Sequence, residues 1–135
     1  MDGETGVITN PKFRMWLRPD GIVQLVRCPR TTVLVEDATA AIETMARLTG
    51  GRRSPLLVDM RDTGPLDGAA RAELTRRSEL ETAVALIVGT PLNRMMANLV
   101  LSVNRSRVPV RLFDNEASAI KWLKVLAEPT IRKPV

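Results

Sequence analysis

The sequence predicts an α/β domain: an N-terminal β-hairpin followed by β-α repeats, with a mainly parallel sheet covered by helices. Residues 13–18 alternate between apolar and polar side chains, a Pro-Asp-Gly turn follows at 19–21, and 22–28 resumes the strand pattern. After this hairpin, short continuous apolar runs alternate with stretches of helical spacing. Such runs are typical of strands buried on both faces, which is the environment of a parallel sheet.

The elements after the hairpin follow from the spacing of apolar residues and from their end signals. Helical spacing over 35–49 stops at Gly50-Gly51, as expected of a helix with a glycine C-cap. The predicted order then continues with a strand at 55–60, a helix at 66–80, a strand at 83–89, a helix at 91–104, a strand at 108–113 and a helix at 115–126. Asp67 is the expected N-cap of the helix at 66–80. Pro91 suits a first helical position, and either Asp114 or Asn115 caps the last helix.

The chain of 135 residues is expected to form one domain with its own hydrophobic core, since 44% of it is apolar. We assign a flexible lead-in to 1–12, the domain to 13–127 and a tail to 128–135. A single cysteine, Cys28, excludes an intramolecular disulfide. With no secretory leader and no apolar run long enough for a bilayer, we expect a cytoplasmic protein without a membrane segment.

Composition also limits the chemistry. The net charge of +5 would suit an acidic partner, but the arginines are scattered, so we expect no nucleic-acid partner. The absence of histidine removes the commonest general base and metal ligand at neutral pH, which excludes zinc or Ser-His-Asp chemistry. We expect no catalytic set, no metal and no cofactor.

The run at 56–71 and the chain's last strand and helix together carry a family resemblance. Asp59 ends a buried strand before a loop and a helix, and the run at 108–123 places a final strand before the motif Ala-Ile-x-Trp-Leu. In this order the chain resembles STAS domains and the wider superfamily of anti-anti-sigma factors with a SpoIIAA-like fold. The resemblance implies the STAS fold and a role in protein interaction.

The same resemblance raises the question of a phosphorylation switch. Anti-anti-sigma factors typically carry an Asp-Ser-Ser/Thr-Gly turn at a helix start, and phosphate there disturbs partner binding. In this sequence the matching turn reads Asp67-Gly68-Ala69-Ala70, without an acceptor hydroxyl. Thr63 is the only hydroxyl residue in the loop and lies a few positions early. We therefore expect no regulation by phosphate at this loop.

Ligands of parallel α/β sheets bind beyond the carboxyl ends of the strands, where helix N-termini point inward. The candidate ligand-binding residues at those ends are Arg61, Thr63, Gly89, Thr90, Asn93 and Arg94. The alternative interpretation of Gly89 to Arg94 is an ordinary strand-to-helix turn with a threonine cap. An acidic cluster of Asp59, Asp62 and Asp67 is better explained by strand and helix ends than by a cation site.

The function expected from these observations is a non-enzymatic regulatory or scaffolding protein-interaction module with unidentified protein partners. The alternative is a small-ligand or anion sensor binding near Thr90 and Arg94. The alternation at 13–18 leaves Arg14, Trp16 and Arg18 on the face opposite the core side chains. Because exposed tryptophan beside arginine is typical of interface anchors, we predict a symmetric homodimer to which this hairpin contributes. A first strand is also expected to lie at a sheet edge.

Overall fold

The computed structural model describes residues 6–61, 68–76, 80–90 and 108–127, although the side chains of Arg71, Thr75 and Arg76 fall outside this description. The described chain has the predicted α/β architecture. Its elements in order are β1 (Ile8–Thr9), β2 (Phe13–Leu17), β3 (Val23–Arg27), α1 (Val35–Thr49), β4 (Ser54–Asp59), α2 (Gly68–Arg76), β5 (Glu81–Ile87), β6 (Val110–Phe113) and α3 (Glu116–Ala127).

The six described strands form one sheet in the order β1-β2-β3-β4-β5-β6. β2 is antiparallel to both of its neighbours, β1 and β3, and β3, β4, β5 and β6 run parallel. The predicted hairpin is therefore joined to a parallel sheet. β3, β4 and β5 end at the same edge, where parallel α/β proteins place ligand loops.

The helices α1 and α2 pack against each other, and α1 covers one face of the sheet. Alternate residues of β2 and β3 point to this face, where Met45 of α1 belongs to the same core. The buried side chains of this core are Phe13, Met15, Val23, Leu25, Met45, Leu56, Met60, Val84, Leu86 and Val108. We call this face of the sheet the α1 face.

The helix α3 lies on the opposite face, here called the α3 face, and packs on β4, β5 and β6. The core beneath it contains Ile22, Leu57, Ala83, Ala85, Ile87, Ala119 and Leu123. Leu57 and Leu123 are fully buried. Phe113 and Trp122 pack at its border with ring centroids 5.6 Å apart.

Local hydrogen bonds fix the ends of α1. The carboxylate of Asp37 accepts a hydrogen bond from the backbone N–H of Leu34 at 2.9 Å, which satisfies one donor before the first turn. At the other end Gly50 is left-handed, with φ at 68°, and the N–H of Gly51 donates to the carbonyl of Ala46 at 2.9 Å. The predicted glycine stop is thus a C-cap that only a residue without Cβ adopts readily.

The start of α3 resolves the two caps that the sequence left open. The side-chain oxygen of Asn115 accepts a hydrogen bond from the N–H of Ser118 at 2.8 Å, so Asn115 is the N-cap. The amide nitrogen of Asn115 donates to Asp114 at 2.9 Å, which orients the capping oxygen.

Three sequence expectations need comment. The first strand is not the hairpin strand: β1, within the predicted lead-in, pairs Ile8 with Met15 and so covers part of the edge of β2. Two residues are too few to show a period, so no sequence pattern indicates β1. The helix predicted at 91–104 and the cap predicted at Asp67 lie outside the described residues.

Candidate functional site

The predicted ligand residues at the strand ends are only partly described. Arg61, Gly89 and Thr90 are described, whereas Thr63, Asn93 and Arg94 lie outside the described residues. The structure brings two of these residues into contact across the strand ends. A Cβ added at Gly89 would lie 3.0 Å from the Cγ atom of Arg61. Gly89 therefore allows the stem of Arg61 to lie directly over the end of β5.

Arg61 is held in place by Asp59, two residues earlier. The guanidinium donates through Nε to one carboxylate oxygen at 2.9 Å and through Nη2 to the other at 2.7 Å, and the N–H of Arg61 adds a third bond at 3.1 Å. Burial alone would raise the pKa of Asp59, but these hydrogen bonds and the charge of Arg61 outweigh it and lower that pKa. Asp59 is thus an ionised anchor for Arg61, which makes it a poor proton acceptor.

A half-open cavity of about 390 Å³ lies beside this pair, where the carboxyl ends of β3 and β4 meet the first half of β2. Val26 and Pro29 form an apolar part of its wall, and Asp59 is the only carboxylate among its described lining residues. Its lining consists of Arg14, Val26, Arg27, Cys28, Pro29, Asp59 and Arg61. We call it the Arg14–Arg61 cavity.

The strand register explains why Arg14 reaches a cavity at the end of β4. Arg14 pairs with Val26, Val26 with Asp59, and Asp59 with Ile87, so these four residues form one row across the sheet. Ile87 belongs to the core under α3, which places the whole row on the α3 face. The exposed side chain of Arg14 makes no hydrogen bond or ion pair with another described residue.

Arg27 adds a buried cation at the same corner. It is 9% exposed, its Nη2 donates to the carbonyl of Thr31 at 3.2 Å, and its Nε has no hydrogen-bond partner in the described part of the chain. Burial lowers the pKa of Arg27 to about 10, against the opposing charge of Asp37. The guanidinium is therefore still charged at neutral pH.

The loop between β3 and α1, which forms one wall of the cavity, is tied down by Lys12. Its ammonium donates to the carboxylate of Asp37 and to the carbonyl of Thr32, each at 2.7 Å. The hydroxyl of Thr31 donates to the carbonyl of Cys28 at 2.9 Å. Cys28 itself is a half-buried free thiol in the cavity wall.

The predicted interface residues Arg14, Trp16 and Arg18 lie along β2 and just beyond it. Arg14 is exposed, and Trp16 is half-buried and belongs to neither described core. Arg18 bonds Asp20 at 3.1 Å and Gln24 at 2.9 Å, and lies 3.8 Å from Glu116. Arg18 therefore stabilises the hairpin turn and contacts the start of α3, so it is not a surface cation without a partner.

Sequence reasoning did not assign Val26, Arg27, Cys28 and Pro29 to a ligand site, and it gave Asp59 and Arg14 other roles. A signal existed for Arg27: it follows Val23 and Leu25 at a spacing of two, which puts a charged residue on a core face. No comparable signal existed for Arg14, because its nearness to Asp59 depends on the pairing of three strands.

The described residues show neither a metal-binding cluster nor a membrane-spanning helix. No group of three or more histidine, cysteine or acidic side chains among them is placed to hold a metal ion, and Asp62 and Asp67 lie outside the described residues. Within the same residues, none of the helices has the length and apolar character that crossing a bilayer requires.

Comparison with known proteins agrees with the fold and leaves the function open. A crystal structure from Shewanella loihica PV-4, an uncharacterised protein of the DUF3478 family with a SpoIIAA-like fold, is similar over 87% of this chain and 99% of its own, with 15% identity and a TM-score of 0.59. That likeness shows the SpoIIAA-like fold and nothing finer.

A protein of unknown function from Arthrobacter sp. FB24 is 27% identical over 82% of this chain and 98% of its own, with a TM-score of 0.30 that carries no structural argument. No curated protein matches the sequence. The family model for DUF7793, a domain of unknown function, matches residues 15–127. The chain belongs to the DUF7793 family, and its described strands and helices form a SpoIIAA-like fold.

Proposed function

We propose that the domain is a non-enzymatic protein-interaction module with a regulatory or scaffolding role, and that a second copy of the chain is one partner. The proposed contact surface is the part of the α3 face that carries Arg14, Trp16 and Val26, which we call the open face. The observation that carries the proposal is Trp16, half-buried on this surface and outside both described cores.

The open face has the composition of an interface rather than of an active site. Because α3 packs on β4, β5 and β6, no residue of β2 belongs to the described core beneath it. A tryptophan with a partly exposed ring gains free energy when a partner surface covers it, and tryptophan and arginine are enriched among interface anchors. The ionised and anchored state of Asp59 also supports a binding role over acid-base catalysis.

The charges at the two ends of the open face favour a symmetric pair. Arg14 lies at one end, and Glu116, whose side chain is 45% exposed, lies beside Arg18 at the other. A two-fold axis near Trp16 would bring Arg14 of one copy towards Glu116 of the second. Opposite charges so placed set the register of an interface and disfavour other orientations. Association through a face does not need the edge of β2, part of which β1 already covers.

The test is the molar mass of the protein by light scattering over a range of concentrations. We expect the parent protein to be a dimer and Trp16→Asp to be a folded monomer, because a carboxylate at the centre of the interface loses its hydration on association. Val125→Asp is the matched control: Val125 is an apolar residue of α3 with 58% exposure, and its substitution should leave the dimer intact.

Charge reversal sharpens the same test. Arg14→Glu and Glu116→Lys should each weaken the dimer, and the double variant should recover much of the loss if the two residues face each other across the axis. Circular dichroism and melting temperature establish that each variant is folded. A parent protein that is monomeric throughout, or a dimer unaffected by Trp16→Asp, would refute the proposed interface.

A further inference from the structure

We propose that the Arg14–Arg61 cavity is a binding site for a small phosphate monoester, whose phosphate is held by Arg14 and whose organic part contacts Val26 and Pro29. The site goes beyond the proposed interaction function. It shares Arg14 and Val26 with the open face, so a bound phosphate competes with the second copy for these residues.

The first support is the charge of this corner of the molecule. Among the described residues that line the cavity, Arg14, Arg27 and Arg61 are cationic and Asp59 is the only carboxylate. Lys12 pairs with Asp37, and Arg61 pairs with Asp59, each at 2.7 Å. Arg14 and Arg27 have no salt bridge to another described residue. The described lining therefore carries excess positive charge, and a concave surface concentrates that potential.

The second support is the position of Arg14 relative to the cavity. Arginine presents a planar array of donors that matches phosphate oxygens, and the exposed side chain of Arg14 makes no contact of this kind with the described residues. Arg27 also lines the cavity, and its Nε is unsatisfied among those residues. Its nearby carboxylate, Asp37, already pairs with Lys12, so the buried charge of Arg27 favours an additional anion, because the attraction is strong where water is partly excluded.

The size and lining of the cavity indicate the rest of the ligand. A volume of about 390 Å³ exceeds that of inorganic phosphate and falls in the lower part of the range of small-molecule sites, roughly 300–1,000 Å³. Val26 and Pro29 offer apolar contact to a short organic group. Asp59 disfavours a ligand that is anionic throughout, since its own charge lines the same cavity. A phosphate on a small neutral remainder satisfies both conditions.

The position of Cys28 provides a direct measurement. It is the only cysteine of the chain and lies in the cavity wall, so its alkylation by iodoacetamide reports whether the cavity is filled. Mass spectrometry follows the rate in the intact chain with inorganic phosphate or glycerol 3-phosphate, against sodium chloride of equal ionic strength. Iodoacetamide is neutral, so the charge of a bound anion does not repel it.

We expect both phosphates to slow alkylation in a saturable manner and glycerol 3-phosphate to act at the lower concentration. Arg14→Gln should raise the concentration needed at least tenfold, since the variant loses a charge-assisted hydrogen bond to the phosphate. Arg111→Gln, which removes an exposed arginine of β6, should leave that concentration unchanged.

Two results overturn the site: no slowing beyond the chloride control at about 10 mM of either phosphate, which excludes even weak millimolar binding, or equal slowing in the parent protein and Arg14→Gln. Slowing by inorganic phosphate alone overturns the assignment of an organic part to the ligand. Light scattering on the ligand-free protein keeps the two proposals separate, because protection of Cys28 in a protein that is monomeric without ligand would support the cavity while refuting the dimer.

Discussion

The two faces of the sheet differ in how completely helices cover β2. On the α1 face, Phe13 and Met15 are 4% and 1% exposed beneath α1. On the α3 face of the same strand, Arg14 is exposed and Trp16 is half-buried, while Leu57 of β4 is fully buried under α3. The apolar content of each strand explains the difference. Apolar and other side chains alternate along β2, so only one face of that strand needs a covering layer of helix. β4 and β5 are almost continuously apolar, so both of their faces need such a layer.

This comparison predicts that the cost of truncating a side chain on the α3 face depends on whether α3 lies above it. Leu57→Ala should lower the free energy of unfolding by about 2–5 kcal/mol, because it leaves a cavity in a packed core. Val26→Ala, on the same face but in the open part, should cost less than about 1 kcal/mol. Urea denaturation measures both, and equal losses would contradict the distinction.

A smaller effect is expected from the cap of α3, the one described helix on the α3 face. Asn115→Ala removes the acceptor for the N–H of Ser118 and should cost about 1 kcal/mol. Asn115→Asp is the control, since a carboxylate keeps the acceptor and also suits the positive end of the helix. Hydrogen exchange should quicken in α3 before α1. Uniform quickening, or a loss in Asn115→Asp equal to that in Asn115→Ala, would be inconsistent with a local cap.

The smallest expected effect is on the pH dependence of stability. It concerns two paired carboxylates, Asp37 at the start of α1 and Asp59 on the α3 face. Burial would raise both pKa values, but hydrogen bonds and charges from Lys12 and from Arg61, respectively, lower them. A carboxyl group whose pKa is lower in the folded state stabilises the fold above the unfolded pKa of about 3.9. That stability disappears as pH falls through the folded value.

We therefore expect Asp37→Asn and Asp59→Asn each to flatten the acid side of the stability profile. Glu43→Gln is the control, since Glu43 makes no ion pair or hydrogen bond through its side chain with another described residue. Thermal melting between about pH 2 and 6 measures the profile. A slope that is unchanged in both aspartate variants would show that neither ion pair contributes to acid stability.

The candidate sites show where sequence reasoning reached its limit. It predicted that Arg61 and Gly89 each lie at the end of a strand, and the structure places them in contact. It also predicted the exposed position of Arg14 from the alternation of β2. It did not connect Arg14 with Arg61 and Cys28, because these residues come from β2 and from the loops after β4 and β3, and nothing local relates them.

The sequence by itself determined the kinds and the order of the described elements that follow β1. Periods of two and of 3.6 residues, the Gly50 stop and the turn at 19–21 are properties of neighbouring residues, so they can be read without knowing the partners of each strand. The parallel part of the sheet followed from the same pattern, because strands apolar on both faces require helices on both sides.

Only the tertiary structure decided which residues meet. Strand register placed Arg14, Val26 and Asp59 in one row, the position of α3 left the open face on β2, and packing around α1 buried the charged Arg27. The tertiary structure also decided that β1 pairs with β2 and that Asn115, and not Asp114, caps α3. In each case the deciding contact depends on where distant segments are brought together in space, and local periodicity carries no information about that distance.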